Sequence, residues 1–178
     1  MVPFKDIVIP ENVSYVGGYT FHFEGSYSKL INEEVKKNIN YEKVFKTIQF
    51  NNKNIKLAKN AVYVYNNATF IYSGDFSNAS TVVEMVGGSK YKKSKKKIRL
   101  KHRWANVKGA AGYEVLISSN KKMTKQLYKD DIKGNSIKVV VPDSDSYNYA
   151  YIKVRPYKKS GRKKVYGKWS PVVNSYIY

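Results

Sequence analysis

Apolar and basic side chains alternate strictly through residues 97–104 of this 178-residue chain. Lys or Arg fills every second position, and the positions between them hold Ile98, Leu100, His102 and Trp104. Successive side chains of a β-strand point to opposite faces, so this segment offers one face to a core and one to solvent. The pattern therefore predicts a half-buried strand whose outer face is basic.

Four further segments of the C-terminal half are typical of short strands. They share β-branched or aromatic residues with a period near two, and they lie at 112–118, 136–141, 149–157 and 165–178. Short strands separated by turn signals roughly every 8–12 residues are typical of a β-sandwich. No helical periodicity appears in this half, so residues 97–178 are predicted to form an all-β domain.

The N-terminal half has a mixed pattern. Short runs of β-branched and aromatic residues predict strands at 7–9, 48–50, 62–72 and 80–86. Pro10 cannot donate to a strand ladder, so the first of these strands should end there. Residues 28–46 instead repeat apolar residues at helical spacing. This half is therefore predicted to be a small mixed α/β portion.

One segment of the N-terminal half carries a family resemblance. The sequence IVIPENVSYVGGYTF, from Ile7 to Phe21, resembles a BspA-like leucine-rich repeat, in which a strand ending I-x-I-P precedes x-x-V-x-x-I-G-x-x-A-F. A second, degraded copy runs from Thr47 to Tyr65. The copies are farther apart than the roughly 20–29 residues of regular repeats. The resemblance therefore implies a terminal or capping portion of an array over residues 1–88.

Three blocks of the C-terminal half resemble a bacterial fibronectin type III domain. They follow the order of that family and are similar to its B–C region, F strand and G strand: WANVKGAAGYEV at 104–115, YIKVRPYKK at 151–159 and VYGKWS at 165–170. The resemblance implies an immunoglobulin-like sandwich over residues 97–178. In that family Trp104 would be the core tryptophan between the sheets, and Ile152 and Val154 would point inward.

Charge also divides the chain. The net charge is +20, yet residues 1–88 contain nine Lys, no Arg and eight acidic residues. The remainder holds 24 basic residues and five acidic ones, including six lysines between positions 90 and 97. So dense a run of like charge repels itself and is usually solvated. We therefore predict a repeat-like portion at 1–88, a basic linker at 89–96 and a fibronectin-like domain at 97–178.

The basic half is the strongest physical signal of function. A field of this size attracts polyanions over about 8 Å at physiological salt. Teichoic acids, acidic polysaccharides, anionic lipid surfaces and nucleic acid all fit, although Lys outnumbers Arg, the usual bidentate phosphate reader. The alternative is that the lysines only maintain solubility. The predicted polyanion contacts are Lys92, Lys93, Lys95, Lys96, Lys97, Lys158, Lys159, Arg162, Lys163 and Lys164.

No catalytic or metal-binding constellation stands out in the sequence. Cysteine is absent, which excludes disulfides, thiolate metal sites and cysteine nucleophiles. The two histidines, His22 and His102, have no nearby partners in a known motif, and no H-E-x-x-H, G-x-S-x-G or P-loop occurs. Asp143 and Asp145 lack the further ligands of a calcium loop. We therefore expect no enzyme activity and no cofactor.

These observations favour a non-enzymatic binding or adhesion protein at the cell surface or outside the cell. Its sandwich would attach to anionic glycopolymers or act as a spacer, with a protein or acidic polysaccharide as partner. Two alternatives stay open: a cytosolic protein that binds polyanions or, non-specifically, nucleic acid, and the accessory tail of a larger polysaccharide-active enzyme. No signal peptide is visible, which fits either a cytoplasmic protein or a piece of a longer exported one. No apolar run of about 18 residues exists, so no transmembrane segment is predicted.

Overall fold

A computed structural model describes residues 6–18, 47–59, 61, 68–83, 91–92, 97–142 and 149–176. These residues are mainly β, with a single 3-10 turn at Phe76–Asn78. The helix predicted at 28–46 lies outside the described residues. The strands are β1 (Asp6–Ile9), β2 (Tyr15–Val16), β3 (Thr47–Phe50), β4 (Lys56–Leu57), β5 (Thr69–Tyr72), β6 (Tyr91–Lys92), β7 (Lys97–Arg103), β8 (Asn106–Val107), β9 (Gly112–Ser118), β10 (Gln126–Ile132), β11 (Ser136–Pro142), β12 (Tyr149–Ser160), β13 (Lys163–Tyr166) and β14 (Val173–Tyr176).

The N-terminal strands stack in parallel. One sheet has the order β1-β3-β5-β8, and β2 pairs with β4 in a second parallel ladder. The register places Ile7 beside Ile48, and Ile48 beside Phe70. Ile48, Phe50 and Phe70 are fully buried, as expected for strands that are packed against other elements. The two segments that share the repeat pattern therefore lie side by side with matching residues in register.

The C-terminal strands form two antiparallel sheets. One has the order β10-β9-β12-β13, with β14 also paired to β12, and the other has the order β11-β7-β6. Both contribute to one core, in which the most deeply buried apolar residues are Ile98, Leu100, Trp104, Val115, Ile117, Ile152 and Val154. The alternation predicted at 97–104 and the inward positions predicted for Ile152 and Val154 are confirmed. Trp104 is fully buried and meets the Tyr113 ring edge-on at 5.6 Å.

Two features of this half differ from the sequence expectations. The strand predicted at 165–178 is divided into β13 and β14, because residues 167–170 pair irregularly: the Gly167 amide donates to Pro156 and the Ser170 amide to Val154. In addition, β10 pairs with β9 although its segment shows no clear alternation. Adjacent Asp130 and Asp131 in that strand are typical of a turn rather than a strand.

The two stacks of strands share one hydrophobic core. β8 follows β7 in the chain, yet it pairs with β5 of the parallel sheet. Val83 forms a bridge with Trp104, and the Thr81 hydroxyl donates to the Ala105 carbonyl at 2.7 Å. The Lys168 amide also donates to the Ala79 carbonyl at 2.7 Å. Residues 68–83 are therefore packed directly against the C-terminal sheets. Of the strand predicted at 80–86, the structure describes residues 80–83, and their only strand pairing is the Val83–Trp104 bridge.

Candidate functional site

The structure separates the predicted polyanion contacts into two groups. Lys93, Lys95 and Lys96 lie outside the described residues. Lys92 on β6 pairs with Lys97 at the start of β7, so these two backbone positions are brought together. The other five predicted contacts lie on the β12–β13 hairpin, in the antiparallel sheet that also contains β9 and β10: Lys158, Lys159, Arg162, Lys163 and Lys164. No single patch of described residues contains all of them.

The β12–β13 hairpin is a tight turn with a crowded basic tip. Lys159 lies directly opposite Lys164, and Gly161 adopts a φ of 58°, a left-handed conformation that glycine accommodates readily. Lys164 donates a hydrogen bond to Asp131, and this bond raises the pKa of Lys164. Its ammonium group also lies 4.8 Å from the Tyr157 ring centroid. The hairpin therefore has at least one lysine whose charge is already compensated by the protein.

A network of ion pairs and aromatic contacts covers the outer face of the sheet formed by β9, β10, β12 and β13. Glu114, which is buried, accepts a 2.6 Å hydrogen bond from Arg155 and lies 3.2 Å from the Lys129 ammonium. The Arg155 guanidinium stacks 4.0 Å from the Tyr166 ring and 4.5 Å from the Trp169 ring. Each contact places a cation against a negative group or ring. We call this surface the paired face.

The outer face of β7 and β11 is different. The antiparallel register places Lys101 directly opposite Lys138 and Arg99 directly opposite Val140. Positions 97, 99 and 101 of β7 are exposed, as is Lys138, and Val140 is 52% exposed. The outward positions of these two strands, 97, 99, 101, 103, 136, 138, 140 and 142, contain no acidic residue. We call this surface the basic face.

Most residues of the basic face were absent from the predicted contact set. Only Lys97 appears in both, although the alternation at 97–104 already predicted a basic outer side for β7. That alternation was a sufficient signal for Arg99, Lys101 and Arg103. Lys138 could not have been found in the same way, because its place beside Lys101 depends on the pairing of β11 with β7.

The cations of the basic face are close enough to produce a combined positive field. Successive outward residues of a strand are about 7 Å apart. That distance is shorter than the screening length of about 8 Å at physiological salt, so neighbouring charges repel one another. Like charges directly opposite on paired strands, as at Lys101 and Lys138, are destabilising. The basic face therefore attracts anions strongly while it costs the fold some stability.

The remaining titratable groups do not form a metal-binding cluster in the part of the chain that the structure describes. His102 is buried on the inner side of β7, with its Nε2 atom 3.4 Å from the Ser175 hydroxyl, which confirms its predicted core-side position. The described residues contain no group of three His, Cys, Asp or Glu placed to hold a metal ion. They also include no helix long and apolar enough to cross a membrane.

No model of a protein family matches this chain, and no curated protein matches it either. The resemblances to a BspA-like leucine-rich repeat and to a fibronectin type III domain therefore stay predictions from sequence. The charges of the two sheet faces are the clearest chemical feature of the described residues.

Proposed function

We propose that this protein is a non-enzymatic surface or secreted binding protein that attaches to anionic glycopolymers through its basic C-terminal half. The observation that carries the proposal is the basic face, where four exposed cations, Lys97, Arg99, Lys101 and Lys138, line two paired strands with no acidic residue among the outward positions. A surface that serves solubility alone is better made of interspersed charges of both signs. A single-sign field suits the capture of a polyanion.

The proposed architecture is a BspA-like leucine-rich-repeat portion followed by a fibronectin type III-like sandwich. Parallel pairing of the two repeat-like segments in register supports the first part. Two antiparallel sheets around a buried Trp104 support the second. In this proposal the sandwich attaches the protein to the polymer, and the repeat portion offers a surface to a protein partner. The cell surface or the extracellular space is where such polymers are found.

The test is retention of the whole chain on immobilised polymers across a salt series. The panel contains heparin, a teichoic acid, and single- and double-stranded DNA. We expect a glycopolymer to retain the protein at about 0.15 M salt while DNA releases it. For duplex DNA, the logarithm of the affinity should fall with a slope of about −0.9 per neutralised phosphate. Release of every polymer together below physiological salt would contradict the proposal, and tighter retention by DNA would favour the cytosolic alternative.

A further inference from the structure

We infer that the basic face is the docking surface for an extended anionic polysaccharide, with Arg99, Lys101 and Lys138 as its principal contacts. The inference rests on the proposed function and names the site through which it acts. It differs from the sequence prediction, whose ten contacts share only Lys97 with this face and include five residues that the structure puts on the β12–β13 hairpin.

Four cations of the basic face lack a compensating acid. Within the described residues, Lys97, Arg99, Lys101 and Lys138 form no ion pair. On the paired face, by contrast, Glu114 forms ion pairs with two cations, Lys129 and Arg155. An anion that approaches Lys129, Arg155 or Lys164 must compete with an existing carboxylate partner, whereas Lys97, Arg99, Lys101 and Lys138 have none among the described residues. The basic face therefore offers the larger gain on binding.

The basic face also contains a repulsion that a ligand can relieve. Lys101 and Lys138 are cross-strand neighbours with the same charge, an arrangement that destabilises a sheet. A sulfate or carboxylate between the two ammonium groups would replace this repulsion with two charge-assisted contacts. Binding should therefore increase the stability of the folded protein for two reasons. The anion forms new contacts, and it also removes the repulsion between two like charges.

The shape of the surface favours a long ligand over a single ion. Six residue steps separate positions 97 and 103, so the cationic row of β7 is about 20 Å long. A row on a sheet face has no enclosing walls, and one small anion there would keep most of its water. A linear polymer with repeated negative groups contacts several cations at once, and the planar guanidinium of Arg99 suits bidentate contact with a sulfate or carboxylate.

The side chains between the cations favour a polysaccharide over nucleic acid. Single-stranded nucleic acids are usually held by aromatic rings on which bases stack. The outward positions of β7 and β11 contain no aromatic residue, and their uncharged members are Ser136, Val140 and Pro142. Val140 is exposed opposite Arg99 and offers an apolar contact to the carbon-bound hydrogens of a sugar ring.

Two triple variants of the full chain test the site. The face variant is Arg99→Gln, Lys101→Gln, Lys138→Gln. The matched control is Lys159→Gln, Arg162→Gln, Lys163→Gln, which removes one Arg and two Lys from exposed positions of the hairpin. At about 0.15 M salt we expect the face variant to bind heparin about tenfold more weakly than the unmodified protein, and the control less than about threefold more weakly. Heparin at one fixed concentration should also raise the Tm of the control by more than that of the face variant.

The outcomes separate the site from the function. If the unmodified protein holds neither heparin nor teichoic acid at physiological salt, the proposed function fails together with the site. If it does hold heparin but the hairpin control loses as much affinity as the face variant, the site assignment is overturned and the function stands. Equal losses for single-stranded DNA and heparin, with DNA bound more tightly, would overturn the ligand class.

Folding is checked by circular dichroism before binding is compared. Should the face variant be unfolded, the single variants Lys138→Gln and Lys159→Gln give the same comparison with less perturbation. We expect a loss of heparin affinity of about twofold to threefold for the first, and a smaller loss for the second. Equal losses would contradict the assignment.

Discussion

The paired face and the basic face belong to two sheets that share one core, but their cations behave differently. On the paired face, Glu114 and Asp131 lie among Lys129, Arg155 and Lys164 and hold them in ion pairs. On the basic face the outward positions of β7 and β11 provide no acid at all. Net charge alone therefore does not identify a binding surface. What matters is whether the neighbouring strands supply the opposite charge.

The largest expected effect comes from the segment that carries Trp169 to the paired face. A β-carbon at Gly167 would clash with the Ala79 carbonyl oxygen, a backbone atom that cannot move aside cheaply. We expect Gly167→Ala to lower the free energy of unfolding by about 3 kcal/mol, measured by urea denaturation. Gly134→Ala, where a β-carbon meets nothing within 4 Å, should be nearly neutral and is the control. Equal stability of the two variants would show that the contact is loose.

Removal of the central acid should convert the paired face toward the basic one. Glu114→Gln leaves Arg155 and Lys129 without their carboxylate, and hydrogen bonds to charged groups contribute about 1.5–3 kcal/mol. We expect a loss of about 2 kcal/mol of stability together with tighter binding to heparin at low salt. Denaturation and heparin retention measure the two effects. A loss of stability with unchanged binding would mean that the freed cations find other partners.

The aromatic platform of the paired face should contribute less. Trp169 lies 4.6 Å from the Lys153 ammonium and 4.5 Å from the Arg155 guanidinium. Each such contact at a partly exposed site is worth about 0.5–1 kcal/mol. We expect Trp169→Ala to cost about 1–2 kcal/mol in urea denaturation, and Trp169→Phe to cost clearly less because a ring face remains. Equal costs for both variants would contradict a role for the ring face.

Replacing Lys by Glu should change stability in opposite directions on the two faces. Lys138→Glu places an acid opposite Lys101 and should stabilise the protein by about 0.5 kcal/mol, because a repulsive pair becomes attractive. Lys129→Glu on the paired face places a second acid beside Glu114 and should destabilise it. Thermal unfolding of the two variants measures both changes. If both were destabilising, repulsion on the basic face would be too weak to matter.

The smallest effect concerns the pH dependence of the hairpin. The hydrogen bond to Asp131 raises the pKa of Lys164 in the folded state, so the folded state holds this proton more tightly than the unfolded state. The stabilisation is therefore complete below the ordinary lysine pKa of about 10.4 and is lost as the pH rises through the higher folded value. Asp131→Asn should lower the pKa of Lys164, as measured by NMR titration. An unchanged titration would show that the pair does not persist in solution.

Much of the C-terminal half follows from local pattern. The alternation at 97–104 predicted β7, its buried side and its basic side, and burial of Trp104, Ile152 and Val154 agrees with the sequence interpretation. The prediction failed where the alternation of apolar and polar residues is weak, as in β10. Its two adjacent acids are typical of a turn, and the strand is stabilised by pairing with β9. The division between β13 and β14 was also missed, since it depends on the contact of residues 167–168 with Ala79.

The candidate site also combines features that local sequence predicts with features that only tertiary structure determines. A period of two is a local property, and it assigns Arg99 and Lys101 to the outer side of their strand without any knowledge of the fold. Charge balance is not local: Lys164 meets Asp131, and Lys101 meets Lys138, only because distant segments become neighbouring strands. Electrostatic interactions fall off within about 8 Å, so the neighbours in space decide which cations are compensated. Composition thus specified a basic protein, and tertiary pairing decided which of its surfaces stays basic.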